Sequence, residues 1–189
     1  MMNLGRVMLS QDSDSILFDA IAFAARAHRH QIRKDNLTPY VSHVFRVAMV
    51  TRHVYGIADP KLIAAAVLHD TIEDTTTDYD DVASRFGADV AAVVVALTKD
   101  MRLPVDEREA AYAHQLAAGG WRVSVCKLAD IYDNLADCKF LDVPHQRRTL
   151  SRSTFYLEAL RPGLTRESAA AFDIVQNRVL DLEKLLANA

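Results

Sequence analysis

At 189 residues, with 50% hydrophobic and 25% charged side chains and only six Gly and five Pro, the chain has material for one domain burying roughly 70% of its unfolded surface without staples. Twenty-two Lys and Arg stand against 25 Asp and Glu, and a net charge of −3 offers no electrostatic footprint for duplex nucleic acid. No apolar run approaches the ~18 residues a membrane helix needs, the opening MMNLGRVMLSQDSDS lacks a signal peptide's apolar stretch, and Cys126 and Cys138 form no CxxC pair. The chain therefore reads as a cytoplasmic protein with reduced, packed thiols.

Periodicity is helical nearly throughout. Leu17, Ala20, Ile21, Ala24 and His28 follow 3-and-4 spacing after the capping-type residues Asp12 to Asp14. RKDNLTPY interrupts, with Asn36 and Pro39 as turn signals, and a helix resumes from Tyr40 to Val54. Asp59-Pro60 is an N-cap and first-turn pair opening the helix that ends in AAVLHDTIED. TTTDYDD caps the next helix, Gly87 ends it, and ADVAAVVVAL is a buried helix. After a turn at Pro104, helices are expected over 106–118, 121–140, 145–160 and 165–187. The sum is an all-α fold, a single domain over residues 1–189 with about eight helices. Phe172, Val175, Val179, Leu182 and Leu186 alternate at 3 and 4 in the last helix, a stripe suited to core packing or to a homo-oligomer seam; two heptads are few for a seam, which favours the core.

The chemistry concentrates in AAVLHDTIED. On one continuous helix, the rows Leu62, Ala66, His69, Glu73 and Ile63, Val67, Asp70, Asp74 run side by side, apolar at first and ionisable at the end. Burying three carboxylates together raises their pKa values by repulsion and desolvation, so a cation is expected beside them. A solvated helix end would fit the same letters. His43 in PYVSHVFRVA and Asp130 in KLADIYDN sit on two further predicted helices, and with His69-Asp70 they give the order H…HD…D.

In that order, and through AHRHQIRKDNLTPYVSH, AAVLHDTIEDT, FGADVAAVVVALTKD and CKLADIYDNL, the sequence resembles the HD-domain phosphohydrolases. Among them it is most similar to the alarmone hydrolases, the RelA/SpoT-type hydrolase domains and their small single-domain relatives, over residues 15 to about 140; residues 145–187 resemble nothing of use. The resemblance implies a helical HD domain whose His43, His69, Asp70 and Asp130 bind one divalent metal ion, typically Mn²⁺. It implies that Glu73 and Asp74 orient and deprotonate the attacking water. It implies a small-molecule nucleotide substrate, (p)ppGpp, whose 3′-pyrophosphate is released to leave GDP or GTP. Arg33 would stack on the base, Lys34 would sit near phosphate, Asn134 would contact base or ribose, and Lys99 and Arg102 are candidates for pyrophosphate-side cations. The residues themselves support one of these roles: both acids follow the His-Asp pair by one turn, close enough to reach a water beside the metal.

Two positions depart from the family pattern. Members commonly carry a basic residue after the aspartate and an aromatic or histidine before the asparagine, where this chain has Ile131 and Asp133. One cation fewer and one carboxylate more beside a polyanion would weaken its binding or change which nucleotide fits. A phosphohydrolase of another nucleotide, or of the NADPH 2′-phosphate, is thus a second reading, and a metal-bound sensor domain with little turnover a third, against which Glu73 and Asp74 argue. The turn also lacks the family's usual glycine, although Asn36 can take a left-handed conformation at modest cost. His28 is expected buried behind the site, and His30, His53, His114 and His145 exposed.

Overall fold

Helix α3 (Pro60–Leu68) is buried along seven consecutive residues, Leu62 to Leu68. A helix that is apolar on every side must be covered on every side. Here α1 (Ser13–Ala27), α2 (Val41–Met49), α6 (Ala88–Ala96) and α8 (Gly120–Ala136) pack around it, and its alanines at 64, 65 and 66 let them approach closely. The computed structural model describes residues 13–187. The cap expected at Asp12, the Asp14 side chain and most of the opening segment lie outside the described residues.

The remaining elements are the single turn α4 (Thr71–Asp74), α5 (Tyr79–Phe86), α7 (Val105–Ala118), α9 (Val143–Leu160) and α10 (Arg166–Ala187). Among the described residues this makes nine helices of eight residues or more plus one turn, and no strand beyond an isolated bridge between Ile32 and Pro39. The all-α expectation holds, with one helix more than the eight or so expected. Helix α2 runs on as a π-helical segment, Val50–Val54, while the helix expected over 121–140 stops at Ala136 and tightens into a 3₁₀ turn, Asp137–Phe140. Asn36 takes the left-handed conformation open to it at the glycine-free turn, with φ 58°, and Asp35 braces that turn by accepting from the amides of Leu37 and Thr38.

Local chemistry sets the helix ends. Asp78 and Asp81 form a reciprocal capping box at α5, and Gly87, at φ 91°, breaks the chain between α5 and α6. At α3, Asp59 accepts from the amides of Lys61 and Leu62, Pro60 occupies the first turn, and Arg122 donates twice to the other Asp59 oxygen at 3.0 and 2.8 Å. Burial opposes ionisation of Asp59, but Arg122 and the two amides outweigh it and hold the carboxyl below its ordinary value of 3.8. Its contribution is therefore in force above that value and is lost as pH falls through the lowered one. Asp59→Ala should cost about 1 kcal/mol at pH 7. An unchanged urea midpoint would show that Pro60 and burial hold this end without the cap.

One expectation needs correction. The helix of the AAVLHDTIED segment does not run unbroken to Asp74: α3 ends at Leu68, and Asp70 (φ −98°, ψ −2°) joins it to α4. The His69 ring reaches the Ala66 carbonyl at 2.9 Å and the Thr71 hydroxyl donates to the Leu68 carbonyl at 2.7 Å. Side chains thus compete for carbonyls that a continuing helix would offer to its own amides. The His-Asp pair sits on the resulting corner.

The core is continuous from Ala20 to Val179 and includes Tyr156, Leu157, Leu160 and Phe172 of the last two helices. Most of the stripe on α10 is spent on it: Phe172, Val175 and Val179 belong to the core, Leu182 packs against it, Leu186 is buried further along the helix, and α10 lies on α8 and α9. Cys126 and Cys138 are free buried thiols. No described helix is long and apolar enough to cross a membrane.

Candidate metal centre and active site

Three elements bring the four expected ligands together. Helix α2 supplies His43, the corner after α3 supplies His69 and Asp70, and α8 supplies Asp130. His43 Nε2 lies 3.3 Å from Asp130 Oδ1 and 3.5 Å from Asp70 Oδ2, and His69 Nε2 lies 3.0 Å from Asp70 Oδ2 and 3.9 Å from Asp130 Oδ1. Ligands with bonds near 2.1 Å at right angles stand ~3 Å apart, so this spacing suits one shared ion. His43, His69 and Asp130 are all buried, with donor atoms within 4.8 Å of one another.

The wiring of the rings fits a metal. His69 Nδ1 faces the Ala66 carbonyl at 2.9 Å, which requires the proton on Nδ1 and leaves the Nε2 lone pair toward the cluster. That Nε2 is buried and makes no hydrogen bond of acceptable geometry, despite the nearby Asp70 oxygen. An orphaned buried acceptor between carboxylates is what a coordinating imidazole presents to its ion. His43 is wired the same way, with Nδ1 2.6 Å from Asp133 Oδ2 and Nε2 facing the cluster.

The electrostatics describe a site short of positive charge. Burial pulls the His43 imidazole down, but the carboxylates of Asp130, Asp133 and Asp70 overcome it and push the ring up to about 10. His69 is raised too, its burial outweighed by Asp70 and Asp130. Burial likewise opposes the charge on Asp70 and Asp130, yet the histidines hold Asp70, and Lys127 with the histidines holds Asp130, below the usual carboxylate range. A divalent cation among these groups would take the place of a proton at each Nε2.

Glu73 and Asp74 follow on α4. Glu73 Oε2 accepts from the Lys99 amide at 2.8 Å, and Asp74 Oδ2 lies 3.3 Å from the Tyr40 hydroxyl, which donates to Asp70 Oδ2 at 2.6 Å. Burial raises the Glu73 carboxyl, helped by Asp70 and Asp74 against the Lys99 amide; burial and Asp70 raise Asp74 against the Tyr40 bond. Higher pKa values make both acids stronger bases. His28 is buried behind them with its ring centroid 4.9 Å from that of Tyr40, and Gln31 ties its Nδ1 to the Asp74 carbonyl. His30, His53, His114 and His145 are exposed, as expected.

The cleft beside these groups takes Lys34, Lys99 and Asn134 from the expected set. Asn134 spans the site, donating to Asp130 Oδ1 at 2.5 Å and accepting from Arg33 at 3.2 Å. Arg33 is buried, lines an adjoining recess with Lys34 and Asn134, and donates to Asp137 at 3.2 and 2.8 Å. Lys99 Nζ donates to Glu109 at 3.0 Å and lies over the Tyr112 and Tyr156 rings. Arg102 does not join them: it is exposed and folded back onto Asp100, two residues away.

Several residues of the site were not foreseen. Lys127 is buried against Asp130 at 2.8 Å and between the rings of Tyr112 and Tyr156; its place one turn before Asp130 was the available signal. Arg152, Thr149, Ser153 and Tyr156 reach the cleft from α9, in a segment carrying no motif. Of the two departures, Ile131 lines the cleft, whereas Asp133 is turned away onto His43 and Arg46. The extra carboxylate is therefore not presented to an incoming polyanion.

A helical bundle with a His, His-Asp, Asp cluster at the crossing of α2, α3 and α8 defines a class, and the HD domain family model matches residues 20–157. The chain belongs to the HD domain family. It is 40% identical over 126 residues to the guanosine-3′,5′-bis(diphosphate) 3′-pyrophosphohydrolase MESH1 of Danio rerio, covering 66% of this chain and 70% of that protein. The Homo sapiens MESH1 is 43% identical over 122 residues, 64% of this chain and 68% of its own. Among solved structures, a metazoan ortholog of SpoT described as hydrolysing ppGpp superposes with a TM-score of 0.76 at 30% identity, covering 87% of this chain and 96% of that one.

Proposed function

We propose that this chain hydrolyses (p)ppGpp, releasing the 3′-pyrophosphate to leave GDP or GTP, with residues 1–189 acting as one catalytic domain in the cytoplasm, where its free buried thiols suit a reducing compartment. The observation that carries this reading is the buried donor cluster of His43, His69 and Asp130, with Asp70 3.5 and 3.0 Å from the two rings and Glu73 and Asp74 one turn after the His-Asp corner, in a cleft that Lys34, Lys99 and Arg152 line with positive charge. Lys34 supports a polyanionic substrate. Partial burial, with Arg33 and Arg152 close by, lowers its pKa, and an anion bound among those cations relieves the strain. The named activity of the relatives supports the nucleotide assignment.

In this reading His43, His69, Asp70 and Asp130 hold one divalent ion, taken as Mn²⁺, although N/O sites often prefer Zn²⁺ or Ni²⁺. When bound, such an ion supplies Lewis-acid chemistry, lowering the pKa of water and offsetting charge on phosphoryl oxygens. Glu73 or Asp74 accepts a proton from the water that attacks the phosphorus joined to the ribose 3′ oxygen. The bond from that phosphorus to the 3′ oxygen breaks, pyrophosphate departs carrying the water's oxygen, and the carboxylic acid so formed returns its proton to the 3′ oxygen, which leaves as the ribose hydroxyl. Lys99, held by Glu109, and Lys34 neutralise the phosphate chain, while Arg33 and Asn134 meet the base and ribose.

The test is release of GDP and pyrophosphate from ppGpp by metal-stripped protein, with and without Mn²⁺, Zn²⁺ and Ni²⁺, beside NADPH and a nucleotide panel. Equimolar release that requires added metal, and is lost on chelation, is expected. Metal-dependent cleavage of another nucleotide with ppGpp untouched would keep the metal centre and move the substrate. Tight metal binding with no turnover on any of them would leave a sensor domain.

A further inference from the structure

We propose that Asp133 is a positioning residue that holds the His43 ring with Nδ1–H toward itself and Nε2 toward the metal, and that Arg46 holds Asp133 for this task. The inference rests on the reading of His43 as a metal ligand. It goes beyond that reading because Asp133 belongs to neither the ligand set nor the pair of acids, and its carboxylate meets the ligand's far nitrogen.

The geometry points to it from both helices. Asp130 and Asp133 lie one turn apart on α8, and His43 and Arg46 lie one turn apart on α2, so the two i, i+3 pairs face each other across the packed helices. His43 Nε2 meets Asp130 while its Nδ1 meets Asp133 Oδ2 at 2.6 Å. The Asp133 carboxylate is gripped on both oxygens, by Arg46 Nε at 2.6 Å on Oδ1 and an Arg46 terminal nitrogen at 2.9 Å on Oδ2. A two-point guanidinium fork sets the plane of a carboxylate as well as its position. At 3% exposure Asp133 has little contact with water, and at 1% His43 has almost none.

The clamp also explains how a carboxylate is tolerated beside a polyanion site. Arg46 reaches on to Asp137 at 2.9 Å, and Asp137 accepts from Arg33 at 2.8 Å. Two carboxylates and two guanidiniums form a closed, neutral chain from the metal ligand to the base-side arginine. Asp133 therefore adds no net negative charge to the nucleotide's surroundings. What it adds falls on His43: a carboxylate on the far nitrogen selects the ligating tautomer, fixes the ring and makes it a better donor.

The experiment is a calorimetric titration of Mn²⁺ into metal-stripped wild type, Asp133→Asn and His43→Ala, with nucleotide kinetics at saturating metal. Asp133→Asn should weaken Mn²⁺ binding by about 10- to 100-fold at unchanged stoichiometry. At saturating Mn²⁺ its KM should stay within about twofold of wild type, a split that general loosening of the fold would not produce. Wild-type Mn²⁺ affinity in Asp133→Asn, with binding lost in His43→Ala, would overturn the proposal and spare the metal centre. Wild-type affinity in His43→Ala would take down the metal reading and this proposal with it. Arg46 is half-exposed, so it can hydrate when Asp133 loses its charge and the variant should fold. Should it not, nitrogen-15 spectra of wild type loaded with diamagnetic Zn²⁺ test the same point: a protonated Nδ1 on His43 is expected, and a bare Nδ1 would overturn the proposal.

Discussion

Glu73→Gln should lower turnover by about 10²- to 10⁴-fold while leaving Mn²⁺ bound as tightly as in wild type, the range spanned by loss of a general base. The substitution keeps the shape of the side chain and an oxygen able to accept from the Lys99 amide, so position is preserved and only basicity is lost. Burial is what raises the Glu73 carboxyl, and with one oxygen committed to Lys99 the other is left for the water. Asp74→Asn is the matched control. Its carboxylate lies near the Tyr40 hydroxyl, and the larger of the two losses identifies the base. Calorimetry and initial rates on the same samples separate metal loss from chemical loss. A Glu73→Gln protein that binds Mn²⁺ and turns over at the wild-type rate would remove Glu73 from the proton transfer.

Asp130→Ala should do two kinds of damage. It removes an oxygen from the donor cluster, and it strands Lys127, a residue 7% exposed whose ammonium is bonded to Asp130 at 2.8 Å. Burial works against the charge on Lys127, but Asp130 outweighs it and holds the lysine well above its ordinary value, so the pair stands or falls together. Breaking a buried ion pair from one side costs about 3–5 kcal/mol, because the remaining charge stays behind without a partner. In urea with a chelator present, Asp130→Ala should therefore unfold far earlier than wild type. His69→Ala also loses the metal but leaves Lys127 paired, so it should lose much less stability in chelator. Adding Lys127→Met to Asp130→Ala should restore much of the stability and none of the metal binding. An Asp130→Ala protein with the wild-type urea midpoint would show that the rings of Tyr112 and Tyr156, 5.1 and 4.6 Å from the ammonium, carry Lys127 without Asp130.

What could be read in advance depended on short range. Asp59-Pro60, the Asp78 box, Gly87 and the positive φ of Asn36 are local backbone choices made by a residue and its near neighbours, and each is where the letters place it. Helix expectations over 106–118 and 165–187 lie within a residue of α7 and α10 because apolar periodicity needs no knowledge of the partner surface. The corner at His69-Asp70 went unread because a run of good helix formers hides the competition of the His69 and Thr71 side chains for the carbonyls before them.

By itself, then, the sequence determined the all-helical class, those helix ends that a local cap or turn sets and the order of chemical groups along the chain, since these follow from propensity, capping and spacing within a few turns. Only the tertiary structure decided which charges meet. Asp133 stands about 4.5 Å of helix rise from Asp130 in any reading, but its partner His43 is 90 positions away, and only the packing of α2 on α8 turns it toward the ring and away from the cleft. The same holds for Arg152 and Tyr156, which α9 carries to the cleft because the core beneath it is continuous with that of α3. Electrostatic roles are set by distance and burial in three dimensions, and neither is a property of a residue's neighbours in sequence.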